Sequence, residues 1–274
     1  MKMLDDHVVL LTGAGSGLGL GVARYCLQVG AKIAIMEVVA EKVKSLQAEF
    51  GGNAVVVQGD VRSIADLKRC REAVVEEFGR LDALIGLQGI FDQNIPMKDI
   101  ALEKLGPLFD ELFHVNVLGY ILSVKVFSDL LLESNGAIVL TSSTAAYAAD
   151  GGGIMYTATK GAIRSLVGQL GFEFGPKVRV NAVAPSVLAK SQLRGPTTLG
   201  LEHQNQSQIP IDLFRAAVKK LLPLQYLPEP EEYGPLYAFL ASRHNRIMTG
   251  QSVVADQGAL NRAAMTAGDM GERK

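Results

Sequence analysis

The chain has 274 residues, 48% of them hydrophobic and 20% charged, and its 27 Lys and Arg against 28 Asp and Glu leave a formal net charge of −1. That balance builds a large apolar core and argues against nucleic acid or an anionic membrane as main partner, since both call for concentrated basic surface. The start lacks the basic region and long apolar run of a signal peptide, no stretch reads as the ~20 apolar residues of a membrane helix, and four scattered histidines lack ligand spacing, so a cytoplasmic, metal-free protein is expected.

Residues 8–11 form a short apolar run that reads as a first strand, and residues 19–29 carry a helical pattern. Between them stands Thr12-Gly13-Ala14-Gly15-Ser16-Gly17-Leu18-Gly19. Glycine admits positive φ and has no Cβ to keep a pyrophosphate at a distance, and a helix starting there offers unpaired N–H groups and a positive dipole end. Such letters are weak evidence alone and strong between a strand and a helix that open a βαβ unit. Gly13, Ser16, Gly17, Leu18 and Gly19 are therefore candidate dinucleotide contacts.

The second strand, 33–36, runs into Glu37, which follows Gly19 by 37 − 19 = 18 residues, near the ~20 expected of an acid that holds an adenosine ribose. Its carboxylate would bond the ribose hydroxyls and repel a 2′-phosphate, which favours NAD over NADP. The alternative is an ordinary solvated Glu. After the third strand, 54–57, Asp60 and Val61 border the adenine, or Asp60 caps the next helix. Cys26 and Cys70 lie inside helical patterns, as free buried thiols of a reducing compartment.

The remaining pattern alternates in the same way. Helices are expected at 40–50, 65–78, 109–132, 156–172, 211–222 and 231–242, with strands at 83–87, 137–140, 178–183 and 252–255. Strands and helices in alternation predict a Rossmann-type doubly wound parallel sheet of about seven strands, helices on both faces, and continuous apolar strands mean burial on both sides. No repeat or linker divides the chain, so one catalytic domain spans 1–274. Residues 186–210 are the least regular. Together with the helix after them, to 222, they read as a substrate lid over the sheet's carboxyl edge, or as a plain surface excursion. The tail beyond Arg262 is polar and glycine-bearing, either disordered or serving a neighbouring subunit.

Ser143 follows the fifth strand, and Tyr156 and Lys160 share one helix face four residues apart. A phenol with pKa near ~10 is a poor base at neutral pH. An ammonium one turn away would stabilise phenolate and lower that value. Tyr156 could then take an alcohol's proton as hydride leaves its carbon, with Ser143 holding the oxygen where charge develops. Among seven tyrosines, one Tyr-x-x-x-Lys arises easily by chance. Joined to the serine and the glycine loop, it becomes specific.

At this point the chain resembles the short-chain dehydrogenase/reductase family over almost its whole length. The resemblance rests on Thr12-Gly13-x-x-x-Gly17-x-Gly19, Asn116 in Val115-Asn116-Val117, Ser143, and Tyr156-x-x-x-Lys160. It implies a catalytic tetrad of Asn116, Ser143, Tyr156 and Lys160. Asn116 would help hold a proton-relay water, and Lys160 would also bind the nicotinamide ribose. Gly89 and Pro185 would stand near the nicotinamide. Two motifs depart from the family, Leu87-Gln88-Gly89 for Asn-Ala-Gly and Pro185-Ser186 for Pro-Gly.

The stretches Phe113–Tyr120, Asp150-Gly151-Gly152-Gly153, Leu193-Arg194-Gly195-Pro196 and Leu199-Gly200 are similar to bacterial cis-dihydrodiol dehydrogenases of the biphenyl and phenylpropionate type. Those enzymes oxidise cis-dihydrodiols to catechols with NAD and are typically homotetramers. The resemblance thus implies an NAD-dependent oxidoreductase of aromatic catabolism, with a diol or alcohol as small-molecule partner. Leu87, Ile90 and Phe91 would wall an apolar pocket, with Phe91 as wall or as ordinary packing, and Ser143 and Tyr156 would touch substrate. The other readings are a dehydrogenase of some different secondary alcohol or ketone, and a catalytically silent NAD-binding protein.

Overall fold

The computed structural model describes residues 2–149 and 151–261. Asp150 and the tail beyond Arg262, both given meaning in the sequence reading, lie outside the described residues. Seven strands, β1 (Val8–Thr12), β2 (Lys32–Glu37), β3 (Ala54–Gln58), β4 (Ala83–Gly86), β5 (Ala137–Thr141), β6 (Arg179–Pro185) and β7 (Ser252–Ala255), form one sheet. Their order is β3-β2-β1-β4-β5-β6-β7, and every pairing is parallel. The order reverses between β1 and β4, which is where open α/β sheets leave a ligand crevice.

Because successive side chains in a strand point to opposite faces, β1 divides its apolar residues between two cores. Val9 and Leu11 join Ile33, Ile85 and Val183 beneath α1 (Gly17–Gln28) and α8 (Gly234–Ala241). Val8 and Leu10 join Met36, Ile138 and Val180 beneath α3 (Ile64–Phe78), α5 (Gly119–Ser134) and α6 (Ile154–Phe174). Leu10 is fully buried, so Leu10→Ala should cost about 2–5 kcal/mol through lost transfer energy and a residual cavity. Cys26 and Cys70 sit in opposite cores as free thiols, and burial pushes both up to about 12.

The elements α2 (Ala40–Phe50) and α7 (Ile211–Leu221) match the sequence reading to within a residue. The single helix expected at 109–132 does not. It is α4 (Leu102–Phe113), a π turn at His114–Leu118 and α5 in succession. The structure continues the helix back through Pro107, the residue type that ordinarily ends such a pattern. By length and composition the run Leu102–Ser134 would suffice to cross a membrane, against the expectation that no stretch would. Here Leu112, Tyr120, Val124 and Phe127 turn that apolar character into the protein core.

Candidate active site

Two glycines show why the loop after β1 is glycine-rich. Gly13 has φ +73, and a Cβ on it would lie 2.6 Å from Gln88 Cα; a Cβ on Gly15 would lie 2.5 Å from Glu37 Oε2. Gly15 N–H donates to Glu37 Oε2 at 3.0 Å. Val38 and Val39 N–H donate to Glu37 Oε1 at 2.9 and 3.0 Å. Glu37 is thus a buried carboxylate, not the solvated surface acid of the alternative reading. A carboxylate has about four acceptor positions; three are in use here, which leaves capacity for a ribose hydroxyl. Ser16, at the head of α1, makes no side-chain cap and instead receives Lys42 Nζ at 2.7 Å. The first N–H groups of α1 thereby lack a side-chain acceptor and suit a phosphate. Leu18 and the buried Gly19 follow in its first turn. Taken together, these residues fit a dinucleotide.

Asp60 does not cap the helix that follows it. Its carboxylate pairs with Arg62, the shortest contact being 2.6 Å, while Ser63 caps α3 by accepting from Asp66 N–H at 3.2 Å. Burial pushes Asp60 up, and Arg62's guanidinium and N–H outweigh this to hold it below the usual range. A cleft of about 600 Å³ beside it is lined by Val38, Gly59, Asp60, Asp66 and Arg69, among others. Tyr156 does not line that cleft. Buried Val61 packs against Gly119, where a Cβ would approach Val61 Cγ2 to 2.8 Å.

The carboxyl ends of β4, β5 and β6 bring the remaining candidates together. Lys160 Nζ, buried, donates to Thr141 O at 2.8 Å and stands 5.4 Å from the Tyr156 ring centroid. Ser143 Oγ accepts from Ala145 N–H at 3.2 Å and faces the Tyr156 hydroxyl. Asn116, in the π turn, accepts from Ile90 N–H at 2.9 Å; its Nδ2 donates to Ile90 O at 2.9 Å and to Thr159 Oγ1 at 3.1 Å. A Cβ on Gly89 would stand 3.6 Å from Asn116 Oδ1 and from Leu193 Cδ1, and 3.9 Å from Lys160 Nζ. Gly89 therefore lies among three of the groups that matter. Pro185 ends β6 opposite Ala255.

The expected lowering of the Tyr156 pKa does not hold among these protein groups. Burial pushes the phenol up, Ser143's hydrogen bond lowers it, and Asp92's charge raises it again, to about 12. Burial alone pushes Lys160 down to about 7. Both charged forms are penalised because both groups leave water, and the ammonium is turned onto Thr141 O.

Leu87 also departs from expectation. Its side chain packs with the β1 and α8 core, whereas Ile90 and Phe91 join Leu108, Leu112 and Tyr156, together with Leu193 and Leu199. Phe91 meets the Tyr156 ring edge-on, at 4.9 Å and 82°. Gln88 replaces the family's small residue, taking Thr12 Oγ1 on Oε1 at 2.6 Å, with Tyr120 OH on its carbonyl at 2.9 Å. Its Nε2 is buried without a hydrogen-bond partner among the described residues.

Segment 186–210 lies against this cluster. Phe91 N–H donates to Arg194 O at 2.9 Å. Glu111 on α4 accepts Thr197 and Thr198 N–H, each at 2.8 Å. Burial pushes Glu111 up, but those N–H groups and Arg194 hold it below the usual carboxylate range. Asp92 stands out in the sequence as the acid after Phe91, where the dihydrodiol enzymes place an aromatic and an acid, but with no role; Gly15, Lys42, Glu111 and Thr141 are contacts that the sequence does not single out. Of these four, only Gly15 carried a signal, from its place inside the glycine loop.

The family profile described as enoyl-(acyl carrier protein) reductase matches residues 13–259. The chain is 41% identical over 259 residues to a 3-phenylpropionate-dihydrodiol/cinnamic acid-dihydrodiol dehydrogenase of Escherichia coli, covering 94% of each protein. It is 40% identical over the same span to the enzyme of that name from Shigella boydii, again with 94% of each covered. The structure of 3-ketoacyl-(acyl-carrier-protein) reductase from Brucella melitensis, complexed with NADH, aligns with a TM-score of 0.78 at 28% identity, over 94% of this chain and 99% of that one. With the fold, the glycine loop and these full-length similarities, the chain belongs to the short-chain dehydrogenase/reductase family of oxidoreductases.

Proposed function

We propose that the protein oxidises an arene cis-dihydrodiol with NAD to the corresponding catechol. The reading is carried by the 41% identity over 94% of both chains to a dihydrodiol dehydrogenase. The apolar surroundings of Tyr156, built from Ile90, Phe91, Leu193 and Leu199, suit a flat, mainly apolar ring. Glu37 would hold the adenosine ribose, and the start of α1 the pyrophosphate. Asp60 and Val61 would border the adenine, with Gly89, Pro185 and Lys160 near the nicotinamide ribose. The nicotinamide, when bound, supplies the hydride acceptor.

Tyr156 takes the hydroxyl proton of the carbon being oxidised, and Ser143 holds the same oxygen as its C–O bond becomes a carbonyl. Lys160 and Asn116 are assigned the onward proton relay. Loss of one hydride and one proton from the diol gives a ring ketone, whose enol is the catechol, and the regained aromaticity drives the reaction forward. Segment 186–222 acts as the substrate lid of a single catalytic domain. The resemblance to the dihydrodiol dehydrogenases implies a homotetramer.

NADH formation with benzene, biphenyl and carboxylated-arene cis-dihydrodiols, beside acyclic secondary alcohols, tests the reading. At least one dihydrodiol should outpace every acyclic alcohol. Turnover of an unrelated ketone or alcohol with none of the diols favours the second reading, to which the similarity to a ketoacyl reductase lends weight.

A further inference from the structure

The catalytic helix α6 begins without a cap of its own. Its N-cap residue is Gly153, which has no side chain to accept the orphan N–H groups of the first turn. The missing acceptor comes from 61 residues away. Asp92 Oδ1 accepts Gly153 N–H at 2.8 Å, and Oδ2 accepts Tyr156 N–H at 2.9 Å. Asp92 is 1% exposed, and among the described residues no Lys or Arg forms an ion pair with it. A Cβ on residue 153 would stand 2.6 Å from Asp92 Oδ2, so glycine there is what admits the carboxylate.

The neighbouring residue completes the grip. Phe91 sets its ring against Tyr156, and its N–H ties the same segment to Arg194 O in segment 186–210. Gln93 Nε2 adds a bond to Gln204 O at 3.2 Å. One short loop thus holds Tyr156 by backbone and by ring while fastened to the segment above. We propose that Asp92 is a positioning residue for the reaction, placing Tyr156 and setting the charge its phenol feels, and that it links the lid to the base; this rests on Tyr156 being the base.

A plain helix cap predicts a different result from a residue that also tunes the phenol. The groups facing Tyr156 are Lys160 on its own helix, Ser143 after β5, Asp92 from the loop after β4, and the phenols of Tyr120 on α5 and Tyr237 on α8. Arg194 and Glu111, above the loop, are paired with one another at 3.8 Å. Of these facing groups, Asp92 is the carboxylate. Its negative charge opposes phenolate, so its removal should favour phenolate.

The test compares Asp92→Asn with the parent in two measurements. One is the pH profile of kcat/KM for oxidation. The other is an ultraviolet tyrosinate titration, with Tyr156→Phe as reference, that needs no turnover and so stands even if the diol assignment fails. Both the rising limb of that profile and the Tyr156 titration should move down by about one pH unit. Asp92→Ala should lose about 10- to 100-fold in kcat while binding NADH as before. Gly153→Ala, which displaces the carboxylate but keeps its charge, should lower kcat and is the second variant should Asp92→Ala not fold. An unmoved titration in Asp92→Asn, with or without slower turnover, reduces Asp92 to a helix cap and overturns the proposal.

Discussion

Glu37 and Gly15 are bonded directly, carboxylate oxygen to backbone N–H at 3.0 Å, so the acid at the end of β2 is tied to the glycine loop. Cofactor choice should follow from this pair. The native protein should show a higher kcat/KM with NAD than with NADP, because a 2′-phosphate beside a buried carboxylate meets repulsion. Glu37→Gln should narrow the ratio by about tenfold, the equivalent of one charged hydrogen bond. Lys42, anchored on Ser16 beside this acid, supplies a cation once Glu37 is neutral. A native preference for NADP would refute the assignment.

Tyr156→Phe removes the hydroxyl and leaves the ring that Phe91 meets edge-on. Turnover should fall by about 10²–10⁴-fold, the usual worth of a general base. NADH binding, followed by fluorescence, should change by no more than a few-fold. Near-normal turnover in this variant would remove Tyr156 from the mechanism.

Lys160 makes stability depend on pH in a predictable direction. Folded, burial holds it at about 7; unfolded, a lysine titrates near ~10.4. Between those values the unfolded chain binds more protons, so native stability rises with pH, by up to ~1.4 kcal/mol per pH unit. Below the folded value both states carry the proton and the dependence vanishes. Lys160→Met lacks this slope. Urea unfolding of both proteins at about pH 7 and about pH 9.5 should shift their stability difference by ~2–3 kcal/mol in favour of the native protein at the higher pH. Parallel behaviour of the two would show that Lys160 is not held neutral by the fold.

Glu111 fastens segment 186–210 to α4 through two backbone N–H groups. Glu111→Gln keeps the size but turns one acceptor into a donor facing a donor. Substrate KM should rise about tenfold, matching a lost charge-assisted bond of ~1.5 kcal/mol, with kcat within about twofold. Proteolytic nicking between Ser191 and Asn205 should quicken in the variant. An unchanged KM would mean that the segment does not cover the substrate.

The sequence by itself determined whatever depends on the near neighbours of a residue. Alternating apolar runs specified strands buried on two faces, and Tyr156 and Lys160 share a helix face because four residues make about one turn. The glycine loop and Glu37 were legible because their spacing is set by one βαβ unit. The tertiary structure decided what joins distant segments: Asp92 to Tyr156 across 64 residues, Glu111 to Thr198 across 87, and Lys42 to Ser16 across 26. It also turned Leu87 into the main core while Ile90 and Phe91 stayed with Tyr156, and put Lys160 on Thr141 O. A periodic pattern records which face of a strand or helix is apolar. It carries no record of which backbone N–H or carbonyl a distant side chain will meet, because that pairing exists only once the sheet has set the loops beside one another.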